Sequence, residues 1–120
     1  MKQILIVDDN KDLRRLIALT LSSHYKVHEA ASADEALLLV DAIHPALIVL
    51  DIMMPGSMDG LEFLRQYRQR PPGGRGKVVL VTARNNPEDR HAAAGLGVDA
   101  YFVKPFSPLR LSDKIRELVN

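Results

Sequence analysis

The stretch that most limits what this chain can fold into runs from Ala46 to Pro55: Ala-Leu-Ile-Val-Leu-Asp-Ile-Met-Met-Pro. Ala46 to Leu50 is an unbroken apolar run, rich in branched side chains and too short to span a bilayer. It predicts a strand buried on both faces. The run stops on the carboxylate of Asp51. Met54-Pro55-Gly56 then predicts a turn, because proline fixes φ and the following glycine tolerates φ > 0. Strands buried on both faces belong to parallel sheets, whose ligands bind beyond the carboxyl ends of the strands. Asp51 is therefore delivered to the working end of such a sheet.

Other segments repeat the pattern. Ile4-Leu5-Ile6-Val7 ends in Asp8-Asp9, Lys77-Val78-Val79-Leu80-Val81 ends in Thr82, and the shorter Tyr101-Phe102-Val103 ends in Lys104-Pro105. Tyr25 to Ala30 alternates, with Tyr25, Val27 and Glu29 against Lys26 and His28, as a half-exposed edge strand does. Helical spacing fills the gaps. From Asn10 it places Leu13, Leu16, Ile17 and Leu21 on one stripe. A Ser32–Glu35 capping box opens a helix with Ala36, Leu37, Val40 and Ile43 inward. Gly60, Phe63, Leu64 and Tyr67 mark a third helix, broken by the linker-like Pro71-Pro72-Gly73-Gly74. Asn86-Pro87-Glu88-Asp89 supplies a cap, a first-turn proline and acids for a small-faced helix (Ala92, Ala93, Ala94) that stops at Gly95 or Gly97. Ser107-Pro108 caps a last helix with Leu111, Ile115 and Leu118 inward.

This alternation predicts one α/β domain over residues 1–120, a doubly wound five-stranded parallel sheet with helices on both faces. The alternating strand belongs at an edge and the continuous runs in the centre. The strand order is then 2-1-3-4-5, the flavodoxin-like arrangement.

Composition removes several function classes. The 120 residues suit one domain, and 47% apolar content can fill its core. Sixteen basic against 15 acidic residues give a net charge of +1, without the basic excess of a nucleic-acid-binding domain. With no cysteine, disulfides and thiolate metal sites are excluded. No run has membrane length and the N-terminal apolar stretch is too short for a signal peptide, so a cytoplasmic domain is expected. His24, His28, His44 and His91 lack metal-ligand spacing, and Arg65, Arg68, Arg70, Arg75 and Lys77 read as a solvated face and loop.

In the expected order, Asp8, Asp9, Asp51, Thr82 and Lys104 converge on one pocket at the carboxyl end of the sheet. Clustered carboxylates repel, and a divalent cation relieves the repulsion. An all-oxygen donor set points to a hard ion, Mg²⁺, held by Asp9 and Asp51, by Asp8 directly or through water, and by a turn carbonyl at Met53. Lys104 and the Thr82 hydroxyl are expected to bind phosphoryl oxygens while Asp51 acts as a carboxylate nucleophile.

Asp8-Asp9, Asp51, Met54-Pro55 with Met58-Asp59-Gly60, Thr82-Ala83 and Lys104-Pro105-Phe106, in this order and at strand ends, make the chain resemble a response-regulator receiver domain over nearly its whole length. The resemblance implies Mg²⁺-dependent phosphoryl transfer from a sensor histidine kinase or histidine phosphotransfer protein to Asp51. The domain would catalyse its own modification, as a signalling switch and not as an enzyme with a separate substrate. It implies an inward pull on the Thr82 hydroxyl, a rotamer change at Tyr101 and a cis Lys104–Pro105 peptide. It also implies an output or homodimer contact through the fourth helix, fifth strand and fifth helix. Met53 and Arg84 match rim positions, where they are expected to tune access of water to the phosphoryl group. Gly56 and Ser57 depart from the pattern, since the family usually has one residue there.

Other readings fit less well. A haloacid-dehalogenase-type phosphatase wants a second Asp where Met53 stands, and a flavodoxin-like FMN carrier wants a hydroxyl- and glycine-rich loop where Asp8-Asp9-Asn10-Lys11-Asp12 stands. A pseudo-receiver acting purely as an interaction module stays open. So does the choice between a stand-alone regulator and a piece of a DNA-binding regulator or hybrid kinase. The residues name neither the kinase nor the output.

Overall fold

Strands and helices alternate along the computed structural model, which describes residues 1–70 and 74–119. The elements are β1 (Gln3–Val7), α1 (Lys11–Leu21), β2 (Lys26–Ala30), α2 (Ala33–Ile43), β3 (Leu47–Leu50), α3 (Gly60–Arg68), β4 (Lys77–Thr82), α4 (Pro87–Gly95), β5 (Ala100–Val103) and α5 (Pro108–Val119). Every strand pairing is parallel and the sheet order is β2-β1-β3-β4-β5, as the sequence predicts. Pro71, Pro72 and Gly73 of the expected linker lie outside the described residues.

The unbroken apolar runs are two alternating patterns superimposed. Leu5, Val7, Ile48, Leu50, Val78 and Leu80 face one core, beneath residues of α2, α3 and α4. Ile4, Ile6, Leu47, Val49, Val79 and Val81 face the other, beneath α1 and α5. A strand that must satisfy two cores has no polar face to spare. β2 pairs with β1 alone, and its alternating sequence suits that edge.

Side-chain caps start the helices. Asn10 Oδ1 accepts from the Leu13 N–H, Ser32 Oγ from Glu35, Asp59 Oδ1 from Glu62 and Asn86 Oδ1 from Asp89. Past α4, Gly97 takes φ +73°, the left-handed conformation that favours glycine after a helix. The extra residue of the Gly56-Ser57 loop is taken up in an exposed bend in which Gly56 has φ +100°.

Two expectations need correction. Leu16 is not inward but 47% exposed, because Ile17 and Leu21 already fill the seam that α1 presents to the sheet. Arg68 is not solvated. Its Nε donates to the Leu96 carbonyl, Nη1 to those of Gly74 and Gly76, and Nη2 to that of Gly97. One half-buried guanidinium thus ties the end of α3 to the loops before β4 and after α4, and its planar fork of donors suits four acceptors at once. The neighbouring Arg70 and Lys77 pair with Asp41 and Asp99.

Gly60 opens α3 where the chain doubles back under Asp51. A Cβ added there would lie 2.1 Å from the Asp51 carbonyl oxygen and 2.8 Å from the Ile52 Cα, so only glycine fits. Gly60→Ala is expected to lower stability by about 2–3 kcal/mol through overpacking against backbone. Gly95→Ala, which meets nothing within 4 Å, should be neutral or slightly stabilising. Thermal unfolding of the two variants side by side checks the contrast, and equal melting temperatures would refute it.

Candidate functional site

Register alone brings the acids together. Val7 pairs with Leu50, so the next residues along each strand, Asp8 and Asp51, are neighbours. The ladder runs one step further on each side. The Asp51 N–H donates to the Val7 carbonyl, and the Asp8 N–H to that of Ala30. On the far side Thr82 pairs with Val103, and the Lys104 N–H donates to the Thr82 carbonyl, just before a cis Lys104–Pro105 peptide. Asp8, Asp51 and Thr82 are buried, while Asp9 is exposed at the rim. Among the described residues, Asp8, Asp9 and Asp51 each bring a carboxylate oxygen within 4.8 Å of the others, a spacing that can hold a cation with hard oxygen donors.

The two buried acids share one counter-charge. Lys104 Nζ lies 2.9 Å from Asp8 Oδ2 and 2.9 Å from Asp51 Oδ2. The other oxygens accept backbone N–H groups, Asp8 Oδ1 from Asn10 at 2.9 Å and Asp51 Oδ1 from Met53 at 3.1 Å. Desolvation pulls the Lys104 ammonium toward neutrality. The hydrogen bonds and charges of Asp51 and Asp8 outweigh it, and the net displacement is upward. Lys104 is therefore a fixed cation at neutral pH.

Around this centre stands a second layer. Arg14 reaches from α1 to donate to the Asp8 carbonyl at 2.7 Å and pairs with Glu29 of β2 at 3.1 Å. Thr82 Oγ1 accepts the Arg84 N–H at 3.2 Å, and the Arg84 carbonyl accepts the Tyr101 hydroxyl at 2.6 Å. The Arg90 guanidinium sits 4.2 Å from the centroid of the Tyr101 ring. Burial raises the Tyr101 phenol, and nearby Asp89 pushes it the same way against Arg90 and Arg84. Met53, half-exposed, lines a cleft of about 380 Å³ with Met54, Asp59 and Arg84.

All the residues expected at the site, Asp8, Asp9, Asp51, Met53, Thr82, Tyr101 and Lys104, thus lie at or around one end of the sheet. Arg14 and Asp89 were not foreseen. Asp89 looks in sequence like an ordinary acid for a helix start, yet it is 5% exposed and grips Arg84 with both oxygens, at 2.7 and 2.8 Å. No helix among the described residues is long and apolar enough to cross a membrane.

The family model described as the response regulator receiver domain matches residues 4–116. Among curated relatives, the chain is 40% identical over 120 residues to the probable transcriptional regulator ycf27 of Cyanophora paradoxa, covering 99% of this chain and 48% of that protein. It is 36% identical to the transcriptional regulatory protein ResD of Bacillus subtilis, covering 98% and 48%. The chain spans about half the length of the curated relatives it matches. Among solved structures, a CheY-like response regulator receiver domain protein of Methanospirillum hungatei JF-1 superposes with TM-score 0.90 at 34% identity, covering 98% of this chain and 92% of that one. The chemotaxis protein CheY4 of Vibrio cholerae gives 0.89 at 28% identity, covering 98% of each.

The Lys104 geometry makes a test of pH dependence. Its value in the folded protein lies above the ordinary 10.5, so its pairing contributes fully below pH 10.5 and is lost as pH rises through the folded value. Lys104→Met, which strands two buried carboxylates, is expected to cost about 3 kcal/mol at neutral pH. Its deficit against the wild type should shrink on the alkaline side. Urea unfolding at a series of pH values measures this, and a deficit that grows above pH 10.5 would contradict it.

Proposed function

The chain belongs to the response regulator receiver domain family, and from that premise we propose that it is a phosphoacceptor switch of a two-component system with Asp51 as the acceptor. The observation that carries the reading is the sharing of one ammonium by Asp8 and Asp51 at 2.9 Å each, with the Asp9 carboxylate beside them. A lone carboxylate would repel an anionic donor. Here Lys104 is held where it meets the oxygens of the incoming group.

In this reading an Asp51 oxygen attacks phosphorus in line. The new O–P bond forms as the bond to the donor nitrogen of a phosphohistidine breaks, and that bond's electron pair leaves with the imidazole. Lys104 and the Thr82 hydroxyl receive the transferred oxygens. As the Thr82 hydroxyl turns toward those oxygens, the Arg84 N–H that it accepts is pulled with it or released, which disturbs the residue whose carbonyl holds the Tyr101 hydroxyl. The change thereby reaches the face made by α4, β5 and α5, where we place the output or homodimer contact. Hydrolysis by water returns inorganic phosphate and resets the carboxylate.

The hard, all-oxygen cluster suits Mg²⁺, which Asp8, Asp9, Asp51 and the Met53 carbonyl would hold. When bound, it offsets the negative charge of the acids and the phosphoryl oxygens. The proposed donors are a sensor histidine kinase or a histidine phosphotransfer protein. By analogy with the regulators it resembles, the output is transcriptional and the setting cytoplasmic.

Incubation with acetyl phosphate, followed by intact mass, tests the proposal. One phosphoryl group is expected on the wild type with Mg²⁺, none after chelation with EDTA, and none on Asp51→Asn. Failure to form the adduct, together with failure to bind beryllofluoride in the presence of Mg²⁺, would sink it.

A further inference from the structure

Arg84 stands at the mouth of the site with its charge already committed. Its guanidinium lines the cleft with Met53, Met54 and Asp59, and its side chain is 38% exposed. Nε and Nη2 are nevertheless taken by the two oxygens of Asp89, at 2.7 and 2.8 Å. Asp89 is the unusual member of the pair. It is buried at the start of α4, its backbone N–H is fixed by Asn86, and no cation other than Arg84 pairs with its carboxylate among the described residues. A buried carboxylate cannot be left without a partner cheaply, so the grip on Arg84 is firm. Arg84 also donates its N–H to Thr82 Oγ1, which keeps its base beside the acceptor strand end.

We infer that Asp89 is a positioning residue that withholds the Arg84 guanidinium from the phosphoryl group on Asp51 and so keeps that group short-lived. This rests on the reading of Asp51 as the acceptor. The two-pronged pair is electrically neutral and Asp59 adds an acid to the same lining, so the cleft presents no net cation to an arriving phosphate. Without Asp89's charge, the same guanidinium swings into the cleft, where the phosphoryl oxygens outcompete the single carboxylate of Asp59 for its fork. Arginine is built for that contact. It then attracts an anionic donor and shields the product from water. Asp89 thus sets signal lifetime without touching the reacting atoms.

The test uses the whole chain, phosphorylated with acetyl phosphate in Mg²⁺, freed of donor by rapid desalting and followed by intact mass. Asp89→Asn keeps the shape and removes the charge. It is expected to lengthen the phosphoryl lifetime on the order of tenfold, the worth of one charge-assisted contact. It should also lower the half-saturating acetyl phosphate concentration, which loosened packing alone would not do. Adding Arg84→Gln to Asp89→Asn should abolish both gains. Arg84→Lys, which breaks the two-pronged grip from the other side and keeps the charge, should lengthen the lifetime in the same direction and serves if Asp89→Asn does not fold. Unchanged or shorter lifetimes in the folded single variants, or a gain that survives Arg84→Gln, overturn the inference while leaving Asp51 as acceptor. A wild type that takes up no phosphoryl group overturns both.

Discussion

Much of this domain follows from one ammonium group between two buried carboxylates. Asp8 and Asp51 leave adjacent strands in register, and both are almost wholly buried. Left alone they would repel with little water to screen them, and removing one member of such a charged set typically costs about 3–5 kcal/mol. Lys104 answers both from a third strand, so β1, β3 and β5 are held to a common end by charge as well as by apolar packing. The same arrangement leaves two carboxylates and a half-buried ammonium together at the carboxyl end of the sheet, the grouping on which the proposed phosphoacceptor role rests.

The arrangement is inexpensive to specify because the strands do most of the positioning. A run such as Leu47-Ile48-Val49-Leu50 has a single workable environment, the middle of a sheet covered on both faces. Once the runs at Ile4–Val7, Leu47–Leu50 and Val78–Val81 must lie side by side, parallel register decides which residues follow them out of the core. Fold and acid cluster were therefore legible together. The receiver family, read from short motifs at strand ends, agrees with the family model over residues 4–116.

What the sequence hid are contacts without a period or a motif. Leu16 has the spacing of a core residue, but a helix on a sheet buries a narrow stripe, and Ile17 and Leu21 occupy it. Arg68 sits in a basic stretch that looks solvated, and its four carbonyl acceptors come from loops separated from it by up to 29 residues. Asp89 reads as a helix-start acid because it is one, since its N–H is capped by Asn86. Its burial against Arg84 depends on how closely α4 approaches β4, which no local pattern encodes. In each case a side chain's role is set by backbone that folds up beside it from elsewhere.

The Arg68 contacts carry a mechanical consequence. Its guanidinium clasps the chain just beyond the last turn of α4, through the carbonyls of Leu96 and Gly97, and anchors it to the end of α3 and the start of β4. The first turn of α4 is held instead by the Arg84–Asp89 pair, at the end of the sheet that carries Asp8, Asp51 and Lys104. A rod of nine residues spans roughly 13 Å, so it is long enough to act as a lever. With its fulcrum at Arg68, a small displacement at Asp89 becomes rotation instead of sliding. Any such motion is largest at the first turn and fades toward the fulcrum, so the two ends of one short helix differ in what they can move.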